Sequence, residues 1–200
     1  MGYKILKIIA DMIIPVFIRL EVINYPELPK DSGALIAVNH IHALDPILIS
    51  YVLYPTWIHH IAKEEIFRFP FLAPMLNWLG VIPVNRQRPG VNSIKRTIEL
   101  FSGNKYVCIF PQGTRRKKEF GNIKKGAARL ALIGNVPIYP AAITGLEKVR
   151  FWGLFKRPKV RIIFGKPISV EKRENTKEEI DILTNELHKS MLDLYYKICY

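Results

Sequence analysis

Residues 34 to 46 read ALIAVNHIHALDP, and this stretch sets the pattern that the rest of the chain repeats. The run Ala34–Val38 is apolar at every position, which is typical of a β-strand buried on both faces. The polar residues after it predict a loop. Asp45-Pro46 then has the signature of a helix start, with Asp as the N-cap and Pro at the first helical position. The segment therefore predicts a strand, a loop and a helix in succession.

The same alternation continues along the chain. Strands that alternate with helices predict an α/β fold with a mixed, largely parallel central sheet flanked by helices. The last helix opens at Thr176, where the sequence TKEE has the spacing of a capping box. The other predicted strands are 57–61, 81–84, 106–110, 138–143 and 160–164, and the other predicted helices are 46–53, 63–78, 91–101 and 123–133.

Length and composition agree with one globular domain. The chain has 200 residues, of which 49% are hydrophobic and 24% charged. These values exclude a disordered or collagen-like chain. Two cysteines cannot form a disulfide framework, so we expect a reducing cytosolic compartment. We divide the chain into an N-terminal helix over 1–22 and a single domain over 23–200.

The N-terminal segment is apolar but interrupted by charge. Lys4, Lys7 and Asp11 fall within the first 18 residues, so the segment is a poor membrane span, and it offers no small-residue cleavage site for a signal peptide. On a helical projection the three charges lie close together and isoleucines line the rest. The pattern suits an amphipathic helix at the membrane interface with its lysines toward the head groups. A helix packed on a protein core fits the periodicity equally well.

A second uncharged stretch covers residues 69–84 and is dense in Phe, Leu, Trp and Pro. Pro70, Pro74 and Pro83 prevent a straight spanning helix. The stretch could form a lipid-facing surface, a groove for an acyl chain, or part of the core.

The surplus of positive charge is concentrated in one part of the chain. The formal net charge is +13, and residues 101–170 carry 15 basic and two acidic side chains. A solvated basic face explains such a run, and so does an anionic partner: a nucleic acid, a bilayer or a phosphorylated substrate. The aromatic residues lie mostly within apolar runs and are not interleaved with the basic ones, so nucleic-acid binding is disfavoured.

The loop after Ala34–Val38 holds the strongest candidate for catalysis. It can fold back and bring His40 against Asp45, which would leave one imidazole nitrogen free to take a proton from a hydroxyl. No nucleophilic Ser or Cys lies beside the pair, so direct transfer to a bound acceptor is the natural interpretation. Helix capping would explain Asp45 alone. A metal site at the histidines is disfavoured, because no carboxylate or Cys completes a ligand set.

A candidate anion site follows the predicted strand 106–110. The sequence FPQGTR offers backbone N–H groups, a hydroxyl and the Arg115 guanidinium, which suit a phosphate. Arg86 ends another strand and could share the phosphate. Lys124 and Lys125 open the helix 123–133, whose dipole also favours an anion. No G-x-S-x-G, G-x-G-x-x-G or complete P-loop motif is present.

Together these segments resemble the glycerolipid acyltransferases, specifically the bacterial 1-acylglycerol-3-phosphate acyltransferases of the PlsC type. The resemblance covers residues 35 to 167, with four blocks in the family's order. The segment from Asn39-His40 to Asp45 is similar to the N-H-x4-D block, and residues 63–69 and 80–86 are similar to the second block. FPQGTR at 110–115 is similar to the F-P-E-G-T-R block, and VPIYP at 136–140 is similar to the V-P-[IV]-x-P block. One position departs from the family, because Gln112 stands where the family has Glu.

The resemblance implies transfer of a fatty acyl group from acyl-CoA or acyl carrier protein to the sn-2 hydroxyl of lysophosphatidic acid. The product would be phosphatidic acid, and no metal or bound cofactor is expected. His40 would be the general base and Asp45 its orienting partner. The predicted substrate-binding residues are Arg86, Gly113, Thr114 and Arg115, with Gln112 and Lys125 beside them.

Besides these substrates, the expected partner is an anionic membrane surface. No nucleic-acid partner is expected. The expected location is the cytoplasmic face of the cell membrane, as a peripheral or monotopic protein. Another lysolipid or an acyl-amino-acid lipid is the alternative acceptor. A non-catalytic basic membrane-binding module is the remote alternative.

Overall fold

The computed structural model describes residues 2–85, 90–115, 120–148 and 157–199. Two short 3-10 helices, Glu64–Arg68 and Leu146–Lys148, accompany the main elements. In chain order the helices are α1 (Gly2–Phe17), α2 (Asp45–Val52), α3 (Leu72–Trp78), α4 (Val91–Ser102), α5 (Gly126–Gly134) and α6 (Lys177–Cys199). The strands are β1 (Arg19–Ile23), β2 (Ala34–Val38), β3 (Ile58–Lys63), β4 (Ile82–Val84), β5 (Tyr106–Ile109), β6 (Ile138–Thr144) and β7 (Lys159–Phe164).

The seven strands form one sheet in the order β1-β7-β6-β2-β5-β3-β4. Strand β2 lies at the centre and pairs in parallel with β5 and β6. Strands β3 and β4 continue the parallel part, whereas β7 runs antiparallel to β6 and carries β1 parallel to itself. The predicted mixed, largely parallel sheet flanked by helices is confirmed.

Helices cover both faces of the sheet. On one face Ile36 and Val38 of β2 pack with the α2 residues Leu48 and Ile49. On the other face Leu35 packs in a cluster with residues of α4, α5 and α6. The parallel connections explain this division, because right-handed crossovers that run in opposite directions along a sheet place their helices on opposite faces. The connections through α2 and α3 run one way, and those through α4 and α5 run the other.

The N-terminal boundary differs from the prediction of a helix over 1–22. Helix α1 ends at Phe17, and Arg19–Ile23 is strand β1. Its register places Leu20 opposite Val160 of β7. The partner strand is 140 residues away in sequence, so local periodicity assigned these residues to the helix that precedes them.

Two helix predictions also change at their ends. The predicted helix 63–78 is divided into the 3-10 helix Glu64–Arg68 and α3. Pro70 lies between them, lacks a backbone N–H and forces the preceding residue toward extended backbone. The predicted helix 123–133 begins at Gly126, because the backbone N–H of Lys124 donates to the carbonyl of Pro111 at 2.8 Å.

Two charged residues of helix α1, Lys7 and Asp11, contact the rest of the protein. Asp11 accepts hydrogen bonds from Lys7 and from the hydroxyl of Tyr51 in α2, the latter at 2.8 Å. The Lys7 ammonium also lies 4.5 Å from the centre of the Tyr51 ring. The expected direction of the lysines toward lipid head groups is therefore wrong for Lys7. The exposed side of α1 is apolar and comprises Ile5, Leu6, Ile8, Ile9, Met12, Ile13 and Val16.

Among the described residues, no helix combines the length and the hydropathy needed to cross a bilayer.

Candidate active site

The centre of the candidate site is a hydrogen-bonded pair of His40 and Asp45. The distance from His40 Nδ1 to Asp45 Oδ2 is 2.7 Å. The side chain of Asp45 is fully buried, while 13% of the His40 side chain reaches solvent. Because a buried carboxylate on Nδ1 selects the tautomer with its hydrogen there, the lone pair of Nε2 is available as a base. The loop folds back as its sequence predicts.

The carboxylate of Asp45 organises the loop and does not cap the helix. Its Oδ2 also accepts the backbone N–H groups of Ile41 at 2.7 Å and His42 at 2.9 Å. Leu44 occupies the N-cap position, and Asp45 is the first residue of α2. The predicted N-cap role of Asp45 is therefore wrong by one position, and capping does not explain why an aspartate stands there.

Asn39 fixes the end of β2 to the neighbouring strand β6. Its Nδ2 donates to the carbonyl of Ile143 at 3.0 Å, and its Oδ1 accepts the Ile143 backbone N–H at 2.7 Å. Asn39 is 1% exposed, so both bonds form in the protein interior. Asn39 had no separate predicted role, although a polar side chain directly after a fully buried strand needs hydrogen-bond partners.

The turn after β5 holds the other side of His40. The Phe110 ring stacks on the imidazole with their centres 4.4 Å apart and a 30° angle between the planes. Oε1 of Gln112 accepts the backbone N–H of His40 at 2.8 Å. The turn predicted to bind an anion therefore also positions the histidine loop. Neither contact is predictable from the local sequence.

The remaining residues of the FPQGTR turn lie beside this pair. Gly113 has a φ of +72°, a conformation that disfavours any side chain. The Lys124 side chain covers it, with Cε 3.1 Å and Nζ 3.3 Å from the position that a Cβ on Gly113 would take. Thr114 and Arg115 are exposed. Arg86 lies outside the described residues.

The two lysines at the start of α5 are placed differently. Lys125 forms an ion pair with Asp181 of α6. Lys124 has no carboxylate within ion-pair distance in the described part of the chain, and it lies against the turn. Of the two ammonium groups, Lys124 is therefore better placed for an anion bound at Gly113.

An apolar cavity of about 340 Å³ opens beside the same turn. Pro111 and Gly113 of the turn and the charged residues Lys124, Lys125 and Arg129 contribute to its wall. Most of its remaining wall is aliphatic and is contributed by Ile61, Ile82, Val84, Ile94, Ile109, Leu130 and Ile133. A cavity of this chemistry suits a hydrocarbon chain whose reacting end lies at the turn.

The other histidines and the cysteine near the site are engaged or shielded. His60 Nε2 lies 2.8 Å from Ser50 Oγ in a hydrogen bond, and burial lowers the pKa of His60 to about 3. The side chain of His59 contacts the carbonyl of Gly80. Burial also raises the pKa of the Cys108 thiol, which disfavours its nucleophilic thiolate. No group of three potential metal ligands occurs among the described side chains.

The fold and the site together define a class of enzyme. A histidine held by a buried aspartate can deprotonate a hydroxyl, a neighbouring basic turn can hold an anion, and an apolar cavity adjoins the turn. The acyltransferase family model matches residues 19–144. The chain belongs to the acyltransferase family.

Two curated relatives share a name. A 1-acyl-sn-glycerol-3-phosphate acyltransferase of Bacillus subtilis is 33% identical over 181 residues, which cover 90% of this chain and 89% of the relative. A Streptococcus pneumoniae protein of the same name is 26% identical over 167 residues, which cover 82% of this chain and 61% of the relative.

A solved structure extends the likeness to the fold. The crystal structure of the 1-acyl-sn-glycerophosphate (LPA) acyltransferase PlsC from Thermotoga maritima matches with a TM-score of 0.71 at 21% identity. The match covers 96% of this chain and 78% of that one. The resemblance found in the sequence blocks is confirmed.

Proposed function

We propose that this protein transfers a fatty acyl group from a thioester to the sn-2 hydroxyl of lysophosphatidic acid and so forms phosphatidic acid. The observation that carries the proposal is the His40–Asp45 pair, held at 2.7 Å beside a basic turn and an apolar cavity. The shared name of the two relatives supports lysophosphatidic acid as the acceptor. Acyl-CoA and acyl carrier protein are the two candidate donors.

The proposed chemistry is a single acyl transfer. Nε2 of His40 takes the proton of the sn-2 hydroxyl while the hydroxyl oxygen attacks the thioester carbon. The new C–O bond forms, the C–S bond breaks, and the proton held by His40 passes to the thiolate that leaves. Asp45 keeps the imidazole oriented and stabilises its protonated form. The step uses the imidazole and the two substrates, and the proposal includes no resident cofactor.

The substrates are assigned to the two sides of the turn. The acceptor phosphate is held by the backbone around Gly113, by Thr114 and Arg115, and by Lys124, whose ammonium lies against the turn. Arg86, Gln112 and Lys125 are the further contacts predicted from the sequence. The fatty chain of the donor occupies the apolar cavity. Both assignments place the reacting groups near His40, because the same turn contacts its imidazole and its backbone.

We further propose that the protein binds the cytoplasmic face of the cell membrane as a peripheral or monotopic protein. The support is α1, which exposes seven large aliphatic side chains while Lys7 and Asp11 contact Tyr51. Such a helix can lie in the interface with its apolar side among the acyl chains. The surplus of basic residues in 101–170 favours an anionic bilayer and an anionic acceptor.

The test is phosphatidic acid formation by the purified protein from lysophosphatidic acid, with acyl-CoA and acyl carrier protein donors in parallel reactions. We expect product with at least one donor and none from His40→Ala. An acceptor without a phosphate, such as an acyl-amino-acid lipid, is assayed beside it. Preferred acylation of that acceptor, or no turnover with either donor by folded protein, would contradict the proposal.

A further inference from the structure

The segment between β3 and β4 exposes a second group of large apolar side chains. Phe71 is 92% exposed, Phe69 60% and Trp78 52%. No charged residue occurs from position 69 to position 85. We call this group the aromatic patch, and it consists of Ile66, Phe69, Phe71, Leu72, Met75 and Trp78.

The patch is held in place although it contributes nothing to the core. Helix α3 contains no buried residue. Its last residue, Trp78, packs edge-on against Trp57 with ring centres 6.0 Å apart. The Trp57 indole N–H donates to the carbonyl of Leu79 at 3.3 Å. These contacts attach α3 to the start of β3, while Phe69 and Phe71, which precede the helix, remain exposed. A large apolar patch that a protein exposes in this way marks an interaction surface.

The direction of its crossover assigns the patch to the side of the sheet that carries α1. The crossovers through α2 and α3 run in the same direction between parallel strands, so right-handed connections place both helices on one side. Helix α1 joins α2 on that face through the hydrogen bond from Tyr51 to Asp11. Between these two regions, α2 and the residue before it expose Leu44 (43%) and Ile47 (59%). Most of the described large apolar side chains that are exposed therefore belong to α1, the start of α2 and the aromatic patch, whereas Val91, Ile133, Ile182 and Tyr196 are exposed on the other helices. A bilayer can contact the first three regions together.

We propose that the aromatic patch is a second bilayer-contact site, which inserts Phe69, Phe71 and Trp78 at the boundary between head groups and acyl chains. The proposal rests on the proposed function, in which the acceptor is a membrane lipid. Aromatic side chains, and Trp above all, are favoured at that boundary. The exposed Arg68 at the edge of the patch is suited to anionic head groups.

Two bilayer contacts would fix the orientation of the protein on the membrane, which one contact cannot do. Helix α1 alone leaves the protein free to pivot about the helix axis. A second contact on the far side of α2 fixes the orientation, and the loop of His40 and Asp45 leads directly into α2. The acceptor hydroxyl would then reach His40 while the acyl chain of the acceptor stays in the bilayer.

Tryptophan fluorescence tests insertion directly. A variant with Trp57→Phe and Trp152→Phe retains Trp78 as its sole tryptophan. We expect its emission to shift to shorter wavelength on vesicles of phosphatidylcholine and phosphatidylglycerol, and to be quenched by lipids brominated near the head-group end of the chain. Unquenched Trp78 on protein that is bound to the vesicles would overturn the proposal.

A charge substitution tests the role of the patch in catalysis. Phe71→Asp removes a side chain that is 92% exposed, and the control Val91→Asp changes one that is 80% exposed on α4, across the sheet. We expect Phe71→Asp to weaken vesicle binding about tenfold or more and to raise the KM for acceptor embedded in vesicles. The rate with a short-chain, water-soluble lysophosphatidic acid should not change, and Val91→Asp should match the parent in both assays.

The same variants distinguish bilayer contact from self-association of the protein, and test the patch separately from the proposed function. Equal vesicle binding by Phe71→Asp and Val91→Asp would overturn the proposal. So would a parent dimer in sedimentation that Phe71→Asp dissociates without any effect on vesicle binding, because the patch would then bind a second copy of the chain. Quenched Trp78 in a protein that acylates neither acceptor would support the patch and contradict the proposed function.

Discussion

Oε1 of Gln112 accepts the backbone N–H of His40 at 2.8 Å, so the turn after β5 supports the loop after β2 through one hydrogen bond. Gln112 is 6% exposed, and its Nε2 has no hydrogen-bond partner within the described regions. The contact therefore depends on the side-chain oxygen and not on the amide nitrogen. A glutamate, which the related family blocks have at this position, would offer the same acceptor.

Replacement of Gln112 by Glu should leave kcat within about threefold of the parent, because the acceptor for His40 is kept. Gln112→Leu should lower kcat by about tenfold or more, since a buried N–H without a partner costs about 1–3 kcal/mol. The measurement is phosphatidic acid formation at saturating substrates, with thermal unfolding to verify the fold. A Glu variant more than tenfold faster than the parent would show that the missing charge limits this protein.

Much of the fold is predictable because its elements have strong local patterns. Strand β2 was predicted with the bounds that the structure has, and α6 begins as its capping box requires, with the Glu179 N–H donating to Thr176 Oγ1 at 3.2 Å. Strand β1 was missed because its partner β7 is distant in sequence. The direction of Lys7 was also wrong, since periodicity gathers charges on one side of a helix without showing which side faces the protein.

The candidate site also has a part that the local sequence predicts and a part that it does not. The approach of His40 to Asp45 is local, because a strand, a short loop and a helix constrain both residues. The support from Asn39, Phe110 and Gln112 arises from the strand order β6-β2-β5, which no local pattern encodes. Each of these three contacts joins residues that are 70 or more positions apart in the chain. Only the assembled sheet brings them together.

Loss of the imidazole should remove catalysis while leaving membrane binding intact. We expect His40→Ala to lower kcat by about 10²–10⁴-fold, the usual contribution of a general base. His42→Ala is the matched control, since His42 lies in the same loop and its side chain, within the described residues, accepts a single hydrogen bond, from the N–H of Leu44 at 3.3 Å. Vesicle co-sedimentation of both variants should equal that of the parent. A His40→Ala rate above about a tenth of the parent would remove His40 from the mechanism.

Lys124 should matter more than Lys125 for binding the acceptor. We expect Lys124→Met to raise the KM for lysophosphatidic acid about tenfold, because charge-assisted hydrogen bonds contribute about 1.5–3 kcal/mol. Lys125→Met should have a smaller effect, since its ammonium already pairs with Asp181. Lys189→Met removes the same charge from the exposed side of α6 and serves as the control. A larger effect from Lys125→Met, or a change confined to the KM for the donor, would contradict this assignment.

His60 should make the fold sensitive to mild acid. Burial holds its pKa at about 3, whereas in the unfolded chain a histidine titrates near 6.5. The unfolded state therefore binds a proton between these pH values and the folded state does not, so stability is complete above pH 6.5 and falls as the pH decreases toward 3. Between pH 7 and pH 5 this group should cost the parent about 2 kcal/mol of unfolding free energy.

The check is urea unfolding at pH 7 and pH 5 for the parent and for His60→Gln, whose amide can still bond to Ser50. The variant has no group to titrate at this position, so its loss of stability between the two pH values should be smaller by that amount, whatever its stability at pH 7. Equal losses in the two proteins would mean that the imidazole of His60 takes up a proton within the folded protein.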